Sequence, residues 1–281
     1  MTDWHGRTPL HHAVLSGKEE VVKLLLDYGV DLNLKDRNGD TALICAVTVR
    51  RDPIVRLLLS YKPQLDSQDS YGNTALIEAV AFCSDETFGE LLQSGPDLNI
   101  QNRNGVTALI RAALDRQVEK ARLLLASGPQ VNIGDVTGAT ALIYAAQNGC
   151  YEIVEALVQG GAHLDIQDNR DQTALLWAMR RDHEPITTLL ILSGLNSQDN
   201  RGSTALIYAA LWGQEEKVNL LLESGADWNV RDDEGQTALF YARHSKHDNI
   251  IQSLLRYQTA DEASQSDNAT VCEDHVLSGS E

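Results

Sequence analysis

The side chains able to do chemistry in this chain occur as pairs and singletons, not as a constellation. His11 and His12 are adjacent; on a helix, neighbours diverge by about 100°, so the two imidazoles cannot close on one metal ion. Carboxylate pairs at Glu19-Glu20, Glu215-Glu216 and Asp232-Asp233 have the chemistry for acid–base work, but they read as solvated faces of helices and turns. Cys45, Cys83, Cys150 and Cys272 are scattered without a CxxC pair, which argues against a zinc site or a disulfide framework. Cys150 has no basic neighbour in sequence to activate its thiol. A Gly-rich phosphate loop, an HExxH helix, a GxSxG elbow and a kinase signature are all missing from the sequence, so no catalytic residue, metal ligand or cofactor site is expected and the chain is not read as an enzyme.

The residues that remain suit binding. Tyr144, Trp177, Tyr208 and Tyr241 each lie two places after a leucine in a recurring phrase, as in Gly138-Ala-Thr-Ala-Leu-Ile-Tyr144 and Gly202-Ser-Thr-Ala-Leu-Ile-Tyr208. In earlier copies the same place holds His12, Cys45, Glu78 and Arg111. Trp212 follows Tyr208 by one helical turn, and Arg180 and Arg181 lie near Trp177 in sequence. Tyr, Trp and Arg are the side chains enriched at binding hot spots. A step of two residues turns about 200° from the leucine that marks the buried side. The column is therefore expected on a concave, partner-binding face, where Tyr208→Ala with Trp212→Ala leaves the fold intact; the alternative is that each ring packs on the next repeat's helix.

The phrase itself sets the architecture. Its threonines are Thr8, Thr41, Thr74, Thr107, Thr140, Thr173, Thr204 and Thr237, spaced by 33 residues except for one step of 31. Each opens a Pro-Leu or Ala-Leu, with alanine three places beyond the leucine. Threonine is a good N-cap and Pro9 suits a first helical position. A short first helix follows, then a longer second one such as Glu19 to Tyr28, with glycine after it in most copies (Gly29, Gly95, Gly128, Gly161, Gly194, Gly225). Polar, turn-rich segments such as Ala226 to Gly235 suit protruding β-hairpin loops. One helix pair cannot bury its own leucines, but stacked copies can.

The recurring D-x-x-G-x-T-[PA]-L-x-x-A, complete as Thr8-Pro9-Leu10-His11 in the first copy, resembles the ankyrin repeat over residues 3–257. The resemblance implies an all-α repeat solenoid of eight units, at about 3–35, 36–68, 69–101, 102–134, 135–167, 168–198, 199–231 and 232–257. It also implies a non-catalytic scaffold or adaptor that binds a protein through turn tips and the first-helix surface. The family histidine is replaced by Ile44, Ile77, Ile110, Ile143, Leu176, Ile207 and Phe240, which exchanges a polar link between repeats for apolar packing. Alternatives within binding are an inhibitor that sequesters a basic, nucleic-acid-binding protein, or the substrate-recognition subunit of a ubiquitin ligase.

Charge and tips narrow the partner. The 281 residues are 43% apolar and 22% charged with a net charge of −17, which argues against direct binding to nucleic acid or anionic membrane. No apolar run reaches the roughly 20 residues that cross a bilayer, no secretory signal is visible at MTDWHGRTPL, and the chain reads as intracellular, cytoplasmic or nuclear. Arginine nevertheless recurs at the tips, at Arg7, Arg37, Arg103, Arg170 and Arg201. It either pairs with the aspartate that opens each turn or offers a basic rim to a partner.

Three irregularities remain. Asp171 stands where the other copies have glycine, and the same copy is two residues short after Gly194, so the sixth-to-seventh junction is expected to break the regular stacking. The first repeat has no polar cap before it, so its apolar face is expected to meet a larger chain or another surface. Residues 258–281 carry six acids and no Lys or Arg and are expected to form a disordered acidic tail.

Overall fold

The computed structural model describes residues 2–194, 196, 198–199 and 201–259. The helices run in chain order as α1 (Pro9–Leu15), α2 (Glu19–Asp27), α3 (Ala42–Thr48), α4 (Asp52–Ser60), α5 (Ala75–Phe82), α6 (Asp85–Gln93), α7 (Ala108–Leu114) and α8 (Val118–Ala126). They continue as α9 (Ala141–Gln147), α10 (Tyr151–Gln159), α11 (Ala174–Arg180), α12 (Glu184–Ser193), α13 (Ala205–Leu211), α14 (Glu215–Glu223) and α15 (Ala238–His244). Residues 248–259 form α16. Gln258 and Thr259 thus belong to a helix, and the rest of the expected acidic tail lies outside the described residues.

Each first helix starts where its threonine stops the chain from remaining extended. Thr8, Thr41, Thr74, Thr107, Thr140, Thr173 and Thr204 accept a hydrogen bond from the backbone N–H three residues on, at 3.2–3.4 Å, which satisfies one of the donors a helix start leaves open. Thr237 occupies the same place without that bond. In the first copy His11 Nε2 bonds the Asp40 carbonyl at 3.0 Å and Nδ1 receives the Thr8 hydroxyl at 2.8 Å, linking two repeats. The isoleucines that replace it, Ile44, Ile77, Ile110 and Ile143, are buried.

The chain divides into two compact units, Met1–Ile186 and Thr187–Glu281, with the boundary inside α12. In the first unit, first helices pack on first helices (α1 on α3, and so on to α11) and second helices on second helices (α2 on α4, to α10). Ala46, Ala79, Ala112, Ala145 and Ala178 are fully enclosed; their small size lets neighbouring helices approach closely. In the second unit α13 packs on both α14 and α15. Lys120 replaces an apolar residue inside the first stack. Its ammonium donates to the Val80 and Cys83 carbonyls, both at 2.7 Å, capping α5, and burial pushes its pKa down.

The connections differ from the expected β-hairpins. Each tip is a five-residue turn, such as the one in which Asp36 N–H donates to the Asp40 carbonyl and Gly39 N–H to that of Asp36. Pairing stops there, too short for strands; Gly134 and Thr140 form the only isolated bridge among the described residues. Successive tips are instead bonded to each other. Within the first unit, Arg37, Ser70, Arg103, Val136 and Asn169 donate their N–H to His5, Asn38, Tyr71, Asn104 and Thr137 of the preceding tip, at 2.7–3.0 Å.

The tip glycines serve this close approach. A Cβ at Gly39 or Gly105 would come within 2.9 or 2.7 Å of the next tip's backbone nitrogen. Asp171 keeps the left-handed backbone of the glycines it replaces, at φ 57°.

In the first repeat Val21 and Leu24 on α2, and Tyr28 at its C-cap, are exposed.

Candidate partner-binding face

The aromatic column is built from the turns upward. In the turns that open on Asp135, Asp168, Asp199 and Asp232, one aspartate oxygen accepts the backbone N–H groups two and four residues on, at 2.8–3.1 Å. The other oxygen faces the first helix nine residues along. It receives Tyr144 Oη at 2.6 Å, Trp177 Nε1 at 2.8 Å, Tyr208 Oη at 2.7 Å and Tyr241 Oη at 2.6 Å. His12 meets Asp3 in the same way, at 3.0 Å. The column therefore ties each turn to its own helix, a role that neither sequence alternative contained.

The electrostatics follow from those bonds. Burial and then the bond to Asp199 raise the Tyr208 pKa, and the nearby Arg201 charge opposes the shift. For Tyr241 the bond to Asp232 comes first, and the phenol is pushed up to about 12. Burial followed by the Asp135 bond raises Tyr144. All three stay protonated donors at neutral pH.

What each ring still offers to solvent differs. Trp177 is only 6% exposed, whereas Trp212 is 37% exposed and lies 5.2 Å from the Tyr208 ring. Tyr144, Tyr208 and Tyr241 are half-buried. Truncating Tyr208 therefore removes a charge-assisted hydrogen bond as well as contact area, so it carries a stability cost that the sequence reading did not give it. Phe240, expected from the sequence to pack between repeats like the other residues that replace the family histidine, is instead exposed, and it meets Tyr241 edge-on at 5.5 Å.

The named residues fall into two groups, one per unit. In the first unit Tyr144 and Gln147 face Asp168, Arg170 and Trp177 across a cavity of about 430 Å³ between the fifth and sixth repeats. Arg180 and Arg181 are exposed, with guanidinium carbons 6.0 and 5.8 Å from the centre of the Trp177 ring. The second group is Arg201, Tyr208, Trp212 and Tyr241.

Of the tip arginines, Arg7 bonds the aspartate of the following turn, Asp36, at 3.5 Å. Arg37, Arg103 and Arg170 are exposed and have no side-chain ion pair among the described residues.

The paired groups have also separated. His11 is buried and linked to Asp40, while His12 turns to Asp3. Asp232 is buried and holds its turn, so it is not the solvated acid that its neighbour Asp233 is.

One cluster escaped sequence reasoning, since its members are drawn from a turn and a helix. Asp36, Asp40 and Cys45 bring donor atoms within 4.8 Å of one another. Asp36 already accepts bonds from Asn38, Asp40 and Arg7, which leaves it poorly disposed to take a cation. Burial pushes the Cys45 thiol up to about 12.

Burial, then the charges of Asp36, Asp69 and Glu78, push Asp40 up to about 6, with Arg7 opposing. Its folded pKa lies above the ordinary 3.8, so the stability it contributes is present at low pH and is lost as pH rises from 3.8 through about 6. Asp40→Asn should therefore gain about 1 kcal/mol at pH 7 and nothing at pH 4 in urea titrations, after discounting for partial exposure. Equal effects at both pH values would show that Asp40 is solvated.

A sequence profile described as ankyrin repeats (3 copies) matches residues 1–36, 10–102, 76–168 and 160–232. The chain belongs to the ankyrin-repeat family. No curated protein matches it. The profile ends at 232, and the eighth ankyrin repeat is carried by the structure through α15 and α16. Ankyrin repeats are in general protein–protein interaction modules, and among the described residues no helix is long and apolar enough to cross a membrane.

Proposed function

We propose that this ankyrin array is a non-catalytic scaffold that captures a partner protein through its turn tips and the adjoining face of its first helices. The observation that carries this reading is the tip ladder of the first unit. Trp4, Tyr71 and Val136 are 73, 71 and 63% exposed on the first, third and fifth tips, and the backbone bonds from tip to tip hold them in fixed register. Large apolar side chains on rigid, hydrogen-bonded turns contribute nothing to the core, and their low conformational freedom favours binding. Cys45, Cys83 and Cys150 are free and buried, which fits a reducing intracellular compartment.

Proximity labelling with the full chain, compared with a Trp4→Ala, Tyr71→Ala, Val136→Ala variant, tests the reading. The variant should lose at least tenfold of its specific capture, with a melting temperature within about 2 °C of the parent, since exposed substitutions cost little. An unchanged labelling pattern would remove the tips from the proposal.

A further inference from the structure

We infer that the cavity between the fifth and sixth repeats receives an acidic stretch of the partner polypeptide, held by Arg170, Arg180 and Arg181. The inference rests on the scaffold reading and adds the chemistry of what is captured. The chain carries a net charge of −17, so its cations are expected to find carboxylates easily. These three are exposed and form no ion pair among the described residues.

The nearest carboxylate on the cavity wall is already committed. Asp168 accepts from Arg170 N–H, Gln172 N–H and Trp177 Nε1. Those same bonds fix the indole, and the indole seats two guanidinium groups near its ring, at 6.0 and 5.8 Å. Two like charges beside one ring repel each other, and an anion between them relieves the repulsion.

The cavity, at about 430 Å³, is lined by Arg170 and by Trp177, whose ring the other two guanidinium groups approach, and it has room for a side chain or two of an extended peptide. Its walls combine apolar surface from Ile143 and the Trp177 ring with polar groups from Gln147 and Arg170. Such a pocket takes a carboxylate side chain and its apolar neighbour, whereas a basic segment would be repelled by Arg170 on the wall and by the two guanidinium groups near the Trp177 ring. Charge complementarity thus selects an acidic segment.

Selection of random twelve-residue peptides displayed on phage against the full chain tests this. Enrichment of Asp and Glu is expected. The best peptide, measured by fluorescence anisotropy, should bind at least tenfold more weakly to the Arg170→Gln, Arg180→Gln, Arg181→Gln variant and weaken as salt rises. All three positions are exposed, so circular dichroism should show an unchanged fold; if the triple variant unfolds, Arg180→Gln and Arg181→Gln singly give the same readout.

Peptides without acid enrichment, or binding indifferent to these arginines, overturn the inference. If such peptides still depend on Trp4, Tyr71 and Val136, the scaffold reading stands without it. Displacement of the selected peptide by a synthetic peptide of residues 260–281 would make the occupant the chain's own terminus and likewise overturn it.

Discussion

Trp177→Ala is expected to destabilise the protein by about 4 kcal/mol, the range for removing a large aromatic from a core. Trp177→Phe should cost about 1.5 kcal/mol, since it keeps most of the bulk and loses only a hydrogen bond to a charged acceptor. The ring is 6% exposed and its Nε1 donates to Asp168 at 2.8 Å. Urea unfolding followed by circular dichroism measures both. If the phenylalanine variant falls as far as the alanine variant, the tether outweighs the packing; if both cost under about 1 kcal/mol, the indole is not core at all. Trp212→Ala, at a side chain 37% exposed, should stay within about 1 kcal/mol of the parent. The contrast separates a residue that shapes the binding face from one that forms it.

The difference between those two tryptophans marks the limit of what the sequence discloses. The repeat frame was legible because threonine, leucine, alanine and glycine each answer a local demand: a cap, a buried side, a close helix approach, a left-handed turn. These demands recur at fixed spacing, so one reading of Thr140 to Gly149 carries over to Thr204 to Gly213. The tether between aspartate and aromatic was not legible, because it joins the end of one local motif to the middle of another. Its signal exists, though. A hydrogen-bond donor stands nine residues after the opening aspartate in Asp3–His12, Asp135–Tyr144, Asp168–Trp177, Asp199–Tyr208 and Asp232–Tyr241. In the fourth repeat Asn102 replaces the aspartate and Arg111 turns instead to Asp115.

Lys120 was invisible for a related reason. A lysine on a second helix normally faces water, and only the stacked neighbour reveals the two carbonyls that hold it.

Gly105→Ala is expected to cost about 3 kcal/mol, against about 1 kcal/mol for Gly128→Ala. The two glycines have nearly the same left-handed backbone, φ +75° and +76°. A methyl at Gly128 meets nothing within 4 Å, whereas at Gly105 it would lie 2.7 Å from the Val136 nitrogen and 2.8 Å from the Asp135 Cα. Backbone strain alone is tolerable here, for Arg50, Lys62 and Arg116 adopt φ of 54–56° without glycine. The excess at Gly105 must therefore come from pushing the next tip away, which lengthens the 3.0 Å bond from Val136 N–H to the Asn104 carbonyl. Thermal or urea unfolding of the two variants reads the difference directly, and equal losses would show that the tips are not in contact in solution. The same displacement carries Val136 and the cavity wall behind it out of register. Gly105→Ala should accordingly weaken capture by the first unit in the fraction that stays folded, while Gly128→Ala leaves capture unchanged.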